Sequence, residues 1–446
     1  MKVELKDYQK RLANFIEQKK KAIISVDMGL GKTLATLAWL DWFAKRKNYR
    51  TFGVIIAPKR VAENNWRQEM LKFGYNQLAD ISVIVKGSAG KREDALADCT
   101  RPIKIIGRDN IADLNTSQYY DFVIFDELTS FKNIKSKRYK KALALKATYK
   151  VGLTGTLLAN GAIDIYAQAE VLDIHFPHRN FYSWRADYFR NILKNAPVNF
   201  EKWVLACDLS EVLKPIQDNI FTLSADDWLT IPEKTEHLIP VELDENTYRN
   251  IAELNAFLAT EVGGEMIAIK EKAKFAKLQT MCNGFIYTDE GEAQRSNKSI
   301  KLQAVADKAL EIVEKGEKVL LFYAYREEAQ WLTEMLEREK IKVVNVKDCP
   351  DFMEKWNNGE IDVLLAHPAS AGHGLNLQYG GRVIIWSTLT YNYEFFAQGN
   401  ARLARTGQKH NVQIYYFYAQ KTIEEKVLTA LRTKSEAQQQ FVKLTK

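Results

Sequence analysis

Two closely spaced glycines, a lysine and a threonine near the start of the chain could bind a phosphate group. Gly29 and Gly31 let backbone N–H groups approach phosphates closely, Lys32 can neutralise β- and γ-phosphates, and Thr33 can hold Mg²⁺. The general phosphate-loop pattern has a further glycine where this chain has Val26. Because a strand pattern precedes the run and a helical pattern follows it, we interpret it as a phosphate loop that binds ATP or GTP.

An acidic pair, Asp126 and Glu127, follows the apolar run Phe122–Phe125. Carboxylates at the carboxyl end of a buried parallel strand face the crevice where ligands of such sheets bind. We expect Asp126 to hold Mg²⁺ and Glu127 to orient and deprotonate the attacking water. An isolated Asp-Glu pair is ordinarily a solvated loop, but its position after a strand and downstream of a phosphate loop favours hydrolysis.

Two arginines near the end of the chain, Arg402 and Arg405, are three residues apart, a spacing that predicts one shared helix face. A guanidinium group placed on a γ-phosphate stabilises the charge of the transition state. If both halves of the chain close over one nucleotide, hydrolysis depends on that closure. The alternative is an ordinary exposed basic helix.

The elements that must position these residues are indicated by short apolar runs rich in β-branched residues. In the first half the predicted strands are Ala22–Val26, Phe52–Ala57, Ile81–Val85, Ile103–Ile106, Phe122–Phe125 and Val151–Leu153. In the second half they are Val319–Tyr323, Val343–Val346, Val363–Ala366, Val383–Trp386 and Val412–Phe417. Nearly continuous apolar strands that alternate with helical segments predict α/β folding, with doubly wound parallel sheets in tandem.

The domain organisation follows from where the strand pattern fades and returns. We expect an ATP-binding lobe over residues 1–160 and a helical insertion over 161–230. A connector and helical segment over 231–300 leads into a second lobe over 301–446.

Composition restricts the class of protein. The 446 residues include 64 Lys and Arg against 56 Asp and Glu, a net charge of +8 that fits a polyanionic partner. The four cysteines lack C-x-x-C spacing, so neither a zinc site nor a redox pair is indicated. Scattered reduced thiols and the absence of a long apolar run predict a soluble cytoplasmic protein with no membrane partner.

The order of the motifs resembles that of superfamily-two helicases, and within them the Swi/Snf (sucrose non-fermenting) group of DNA translocases. The likeness runs from Leu5 to about Glu425. Besides the phosphate loop, it rests on Leu5–Gln9, Ile56–Lys59 with Asn65-Trp66, Asp126–Asn133, Leu153–Asn160, Val319–Phe322, Ala371–Leu377, Gln398–Gln408 and Thr422–Glu425. The resemblance implies two RecA-like lobes that share one ATP site.

The resemblance also implies roles for further residues. It makes Gln9 the adenine contact and adds to the ATP site Met28, Leu30, Gly374 and Gln398. It assigns the coupling of hydrolysis to lobe movement to Thr154, Gly155 and Thr156. Candidate contacts to nucleic-acid phosphates are Lys59, Arg60, Arg108, Lys132, Ser370, His373 and Asn376. Since no base-reading module is present, we expect sequence-nonspecific binding.

Departures from the group pattern indicate a compact, divergent member of bacterial or phage type. Leu128 and Thr129 replace the Ala and His that follow the acidic pair in the group, so coupling through histidine is absent or rebuilt. Leu157 stands where the group usually has proline, and Ala159 where it often has glutamine.

The leading hypothesis is an ATP-dependent motor that uses Mg²⁺ and translocates along double-stranded DNA. A first alternative is a helicase that separates strands of DNA or RNA. A second, of another class, is a non-catalytic nucleotide-dependent clamp or scaffold. The joint presence of Lys32, Glu127 and Arg405 argues against the clamp, which has no need of all three.

Overall fold

The computed structural model describes residues 3–159, 161–192, 203–228, 232–257, 259–262, 265–268, 273–288, 290–370 and 375–445. His373 and Gly374 therefore lie outside the described residues. The chain divides into two compact units, one formed by residues 1–229 with 434–446 and the other by 230–433. The domain boundaries at 160, 230 and 300 stay predictions.

The first unit is built on a seven-stranded sheet in which every described pairing is parallel. Its strands are β1 (Lys21–Val26), β2 (Gly53–Ala57), β3 (Ser82–Val85), β4 (Ile103–Gly107), β5 (Tyr119–Asp126), β6 (Lys146–Thr154) and β9 (Ile220–Leu223). They lie in the order β3-β4-β2-β5-β6-β1-β9. A separate antiparallel hairpin joins β7 (Phe189–Asn191) to β8 (Trp203–Leu205).

Helices cover both faces of this sheet. They are α1 (Asp7–Lys19), α2 (Lys32–Arg46), α3 (Trp66–Lys72), α4 (Asn76–Asp80), α5 (Ala89–Ala97), α6 (Lys137–Leu143), α7 (Ile165–Val171), α8 (Phe181–Tyr188), α9 (Leu209–Leu213) and α10 (Ala225–Trp228). Val123 and Phe125 of β5 enter one core cluster with Trp184, while Phe122 and Ile124 between them are also fully buried. Burial on both faces is why these strands are continuous apolar runs.

The second unit has a six-stranded parallel sheet. Its strands are β10 (Lys234–Val241), β15 (Val319–Phe322), β16 (Val343–Asn345), β17 (Val363–Ala366), β18 (Val383–Trp386) and β19 (Val412–Ala419), in the order β10-β19-β18-β15-β17-β16. Two antiparallel hairpins accompany it, β11 (Ala259–Val262) with β12 (Glu265–Ala268) and β13 (Phe285–Tyr287) with β14 (Ala293–Arg295).

The helices of the second unit likewise cover both sheet faces. They are α11 (Glu245–Phe257), α12 (Lys274–Cys282), α13 (Ile300–Glu314), α14 (Arg326–Arg338), α15 (Phe352–Asn357), α16 (Tyr393–Asn400) and the first part of α17 (Ile423–Thr445). Leu320 and Phe322 belong to one core cluster and Val319 and Leu321 to another, so alternate residues of β15 pack on opposite faces. The predicted fold class, two parallel-sheet α/β lobes in tandem, is confirmed.

A buried ion pair lies inside the second unit. The ammonium Nζ of Lys301 is 2.5 Å from Oε1 of Glu424, and both side chains are almost fully enclosed. The backbone N–H of Ala419 donates to the other carboxylate oxygen at 2.7 Å. Burial raises the pKa of Glu424, and the attraction of Lys301 opposes this shift. The pair ties α13 to the start of α17.

The last part of α17 packs on the first unit. Phe441 is fully buried in the same core cluster as Trp184. The side-chain oxygen of Gln438 accepts a hydrogen bond from the backbone N–H of Leu158 at 3.1 Å. The core of the first unit thus includes residues from a distant part of the sequence. Within the described ranges, no helix combines the length and apolar character that crossing a bilayer requires.

Candidate active site

The phosphate loop joins β1 to α2. Gly29 and Gly31 have φ angles of 86° and 74°, which residues other than glycine rarely adopt. A Cβ at Gly31 would also lie 2.5 Å from the amide nitrogen of Gln9. The ammonium group of Lys32 donates to the carbonyl of Val26 at 2.8 Å, so the lysine folds back across the loop. Val26, which stands in place of the usual glycine, ends β1, and its side chain is fully buried.

Gln9 supports this loop from the side of α1. Its amide nitrogen donates to the carbonyl of Leu30 at 3.2 Å, and its amide oxygen accepts from the backbone N–H of Lys6 at 3.0 Å. Only 6% of Gln9 is exposed. The structure therefore places Gln9 against the phosphate loop, and its contact with adenine stays a prediction.

The first carboxylate of the acidic pair ends β5. The indole N–H of Trp66 donates to Oδ2 of Asp126 at 2.9 Å. Burial raises the pKa of Asp126, while the Trp66 hydrogen bond and the charge of Lys32 act in the opposite direction. Asp126 and Lys32 are thus close enough to interact electrostatically.

The second carboxylate, Glu127, has a left-handed backbone with φ 62° and ψ 66°, a strained conformation for a residue with a side chain. Its Oε1 accepts hydrogen bonds from the hydroxyls of Thr129 and Thr154, each at 3.3 Å. The Thr154 hydroxyl in turn accepts from the backbone N–H of Thr156 at 3.1 Å. Threonine hydroxyls therefore link the acidic pair to the predicted coupling segment, without the histidine of the group pattern.

Sequence reasoning missed Glu69, a third carboxyl group beside the predicted metal ligands. Glu69 is partly buried and lies close to both Thr33 and Asp126. Burial, and then repulsion by Asp126, raise the pKa of Glu69 to about 7, although Lys72 and Thr33 oppose the shift. Trp66 and Glu69 are three apart on one short helix and so share its face, but the sequence does not show that this face lies beside the metal ligands.

These donors suit Mg²⁺. The Thr33 hydroxyl and the Asp126 carboxylate are hard oxygen ligands, and Mg²⁺ in nucleotide sites takes one or two carboxylates together with phosphate oxygens and water. The candidate coupling residue Gly155 lies beside the phosphate loop, because a Cβ built there would be 3.7 Å from Nζ of Lys32 and 3.9 Å from Cε of Met28. The residues predicted for the ATP site in the first unit are therefore brought together.

The candidate nucleic-acid contacts of the first unit differ in their surroundings. Lys59 and Arg60 are exposed after the carboxyl end of β2. Arg108, at the end of β4, instead donates to the Ser130 hydroxyl. Lys132 is 3.7 Å from a carboxylate oxygen of Asp164 and is mostly covered. Lys59 and Arg60 are therefore the better-presented pair of cations.

The two arginines of the second unit do not share a helix face, and that expectation is wrong. Helix α16 ends at Asn400, where the backbone tightens and the N–H of Arg402 bonds the carbonyl of Gly399 at 3.1 Å. The guanidinium groups nevertheless converge, since Nη1 of Arg402 and of Arg405 both donate to the carbonyl of Leu375, at 3.3 and 3.2 Å. Burial lowers the pKa of Arg405, but its ordinary value is so high that it stays charged.

The remaining described candidates of the second unit are Gln398, Ser370 and Asn376. Gln398 is buried on α16 and its amide nitrogen donates to Glu394 at 3.3 Å. The backbone N–H of Ser370 bonds the carbonyl of His367 at 2.9 Å, and Asn376 is exposed.

Comparison with known proteins decides the family. A model described as the SNF2-related domain matches residues 8–284, more than half of the chain. The chain belongs to the SNF2-related family. It is 28% identical to protein p41 of Acyrthosiphon pisum secondary endosymbiont phage 1 over 452 residues, which cover 96% of this chain and 95% of the phage protein.

Other SNF2-related proteins are longer. An ATP-dependent helicase of Mycoplasma pneumoniae is 26% identical, with 97% of this chain and 42% of the helicase covered. The Saccharomyces cerevisiae ISWI chromatin-remodeling complex ATPase ISW2 is 25% identical, with coverages of 95% and 40%. This chain therefore spans less than half the length of these two relatives.

A solved Sulfolobus solfataricus SWI2/SNF2 ATPase core in complex with dsDNA is 19% identical, with a TM-score of 0.47 and coverage of 99% of this chain and 94% of the other. Membership of the SNF2-related family makes this chain an ATPase of the helicase and translocase class. The predicted family and enzyme class are confirmed, and of the two nucleotides left open by the phosphate loop, ATP is the one that the family uses.

Proposed function

We propose that this chain hydrolyses ATP with Mg²⁺ and uses the reaction to translocate along double-stranded DNA. The observation that carries the proposal is the set of hydrogen bonds around Glu127. A carboxylate beside Asp126 is tied by Thr129 and Thr154 to the segment predicted to couple hydrolysis to movement. A protein that only bound nucleotide would need neither the carboxylate nor this link.

Each candidate catalytic or metal-binding residue of the first unit has a defined role in the proposed reaction. Thr33 and Asp126 hold Mg²⁺, which neutralises phosphate charge when it is bound. Lys32 exchanges the Val26 carbonyl for β- and γ-phosphate oxygens. Glu127 orients the attacking water and accepts its proton.

In the second unit, Arg402 and Arg405 stabilise the charge that develops on the γ-phosphate. Both groups now donate to Leu375, a neutral carbonyl, and a phosphate is a stronger acceptor for a guanidinium group. The proposed adenine contact is Gln9, and Gln398 and Gly374 are proposed as further ATP contacts.

DNA binding is proposed to use backbone phosphates, with Lys59 and Arg60 as the principal cations of the first unit. Ser370, His373 and Asn376 are the proposed contacts of the second unit. Contacts of this kind carry no sequence information and weaken steeply as salt rises.

The test is ATP hydrolysis at low salt, alone and with duplex DNA, single-stranded DNA or RNA. We expect strong stimulation by duplex DNA and its loss in the Glu127→Gln variant, which keeps the size of the side chain but removes the base. Stimulation by single strands or RNA alone would favour the strand-separating helicase. Unchanged turnover by Glu127→Gln would refute the role of that carboxylate.

Translocation is tested separately from unwinding. A motor that tracks on intact duplex should displace a third strand from a triplex in an ATP-dependent manner. The same enzyme should fail to separate a duplex, with or without a single-stranded tail. The reverse pattern would contradict the proposal of translocation on double-stranded DNA.

A further inference from the structure

One short helix of the first unit touches both predicted metal ligands. From α3, the indole N–H of Trp66 donates to Asp126 at 2.9 Å. Three residues on, the carboxyl group of Glu69 lies close to the hydroxyl of Thr33. The two ligands belong to different elements, α2 and β5, and α3 is the helix that contacts the functional group of each.

The chemistry of these two neighbours suits a metal site. A carboxylate beside the Thr33 hydroxyl can accept its hydrogen, which leaves the lone pairs of the hydroxyl available for a cation. The Trp66 indole N–H fixes one oxygen of Asp126 and therefore the plane of that carboxylate. Partners of this kind orient metal ligands, and their loss typically weakens metal affinity about 10- to 100-fold.

The chain that leads into α3 begins at the exposed cations Lys59 and Arg60. A π-helix over Val61–Asn65 follows them directly, and the backbone N–H of Trp66 bonds the carbonyl of Val61 across its wide turn. Single π-helical turns are rare and occur frequently at functional sites. At about 1.5 Å per residue, only about 9 Å of helix separates Arg60 from Trp66.

We propose that Trp66 and Glu69 are positioning residues for the magnesium site, and that α3 transmits nucleic-acid contact at Lys59 and Arg60 to that site. The inference rests on the proposed function, because it assigns to the DNA contacts a way of stimulating hydrolysis. A displacement of the π-helical segment moves Trp66 and Glu69 together, so Asp126 and Thr33 are adjusted at the same time.

Trp66 is also a fully buried core side chain, so a change in activity alone would not separate positioning from stability. Trp184 offers a matched control, since it is equally buried in the same unit and its indole nitrogen has no hydrogen-bond partner among the described residues. Replacement by phenylalanine leaves an aromatic ring in both places. Only at Trp66 does it remove a hydrogen bond to a metal ligand.

The primary measurement is binding of a fluorescent ATP analogue to the full chain, in magnesium and in EDTA, without nucleic acid. Trp66→Phe should weaken the magnesium-dependent part of binding about tenfold or more and leave binding in EDTA unchanged. Trp184→Phe should change neither. Equal behaviour of the two variants, measured alongside their thermal unfolding, would overturn the role of Trp66.

Glu69 provides a second variant that does not alter a large core side chain. Glu69→Leu removes the carboxyl group beside the Thr33 hydroxyl, whereas Glu69→Gln keeps an acceptor oxygen there. We expect a magnesium-specific loss in Glu69→Leu and its recovery to within about threefold in Glu69→Gln. An equal loss in both variants, or in neither, would contradict the proposed hydrogen bond.

Transmission is tested by the concentration of Mg²⁺ that half-saturates turnover, with and without duplex DNA. DNA should lower this concentration in the wild type, and the shift should disappear both in the double variant Lys59→Ala/Arg60→Ala and in Trp66→Phe. A full shift in Trp66→Phe would overturn transmission through α3. If duplex DNA changes neither this concentration nor turnover in the wild type, the proposed function is refuted. The binding measurement without DNA would still decide the positioning role.

Discussion

The two groups of candidate catalytic residues are held in different ways. In the first unit, Lys32 and Asp126 stand at a helix start and a strand end, and each makes a hydrogen bond to another element or loop atom. In the second unit, Arg402 and Arg405 lie in turns beyond a helix and both use the carbonyl of Leu375. The difference is that the first group is anchored at the ends of regular elements, whereas both arginines of the second group donate to a backbone carbonyl outside any helix or strand.

Removal of the phosphate-loop lysine from the first group should lower ATP turnover more than any other change considered. We expect Lys32→Ala to lower kcat by more than about a thousandfold, because the charge that it places on the β- and γ-phosphates is lost. Steady-state ATP hydrolysis with duplex DNA measures the loss. The control is Lys140→Ala, an exposed lysine of α6, which should keep full turnover. Comparable rates for the two variants would refute the phosphate-loop assignment.

Removal of Arg405 should lower the rate of ATP hydrolysis almost as much. The effect should fall on kcat and not on nucleotide affinity. Arg405→Ala should lower kcat about a thousandfold and leave nucleotide affinity nearly unchanged, because the guanidinium group acts on charge that develops only in the transition state. Separate measurement of kcat and of nucleotide Kd tests this split, with the exposed Arg338 of α14 changed to Ala as the control. Full DNA-stimulated turnover by Arg405→Ala would show that the arginine has no such role.

The interior of the second unit can be tested by breaking its buried ion pair. Lys301→Met should lower the free energy of unfolding by about 3 kcal/mol, because Glu424 is left buried without its cation. Chemical denaturation measures this change. In contrast, Lys315→Met breaks an exposed pair with Glu311 and should leave unfolding essentially unchanged. If both variants changed the free energy of unfolding equally, the buried pair would stabilise the second unit no more than an exposed pair does.

The smallest expected effect concerns the hydroxyl that joins the acidic pair to the coupling segment. Thr154→Val should lower DNA-stimulated turnover about tenfold, because one neutral hydrogen bond to Glu127 is lost, and about 1.4 kcal/mol corresponds to that factor. ATP binding should be retained. We expect Thr154→Ser, which restores the hydroxyl, to recover most of the rate; failure of this rescue would assign the effect to packing instead.

The sequence predicts the sheets well because their strands are buried on both faces and are therefore continuous runs of Ile, Val and Leu. It does not predict β9, a four-residue strand that pairs with β1, or β10, which pairs with β19 and lies in the stretch expected to be a connector and helical segment. The phosphate loop and the acidic pair were identified from spacing, since their geometry is local. The hydrogen bond between Trp66 and Asp126 joins residues that are 60 positions apart, and spacing alone does not reveal it.

The arginine segment shows a different limit. Spacing of three residues predicts a shared helix face only if the helix continues, and here it ends at Asn400. The convergence of both guanidinium groups depends on a carbonyl at Leu375, which belongs to another segment of the chain. Helix ends and backbone acceptors are features of tertiary structure that a motif does not specify.

The return of α17 to the first unit has a consequence for the order of events during synthesis. The hydrogen bond from Leu158 to Gln438 joins residues 280 positions apart. At the usual ribosomal rates of about 5 to 20 residues per second, Leu158 waits on the order of tens of seconds for this partner. During that time Phe441 has not been synthesised either, so its place in the core of the first unit is unfilled. The first unit therefore acquires its full core only after the second unit has been translated. Until then the nascent chain lacks part of the fold of its ATP-binding unit.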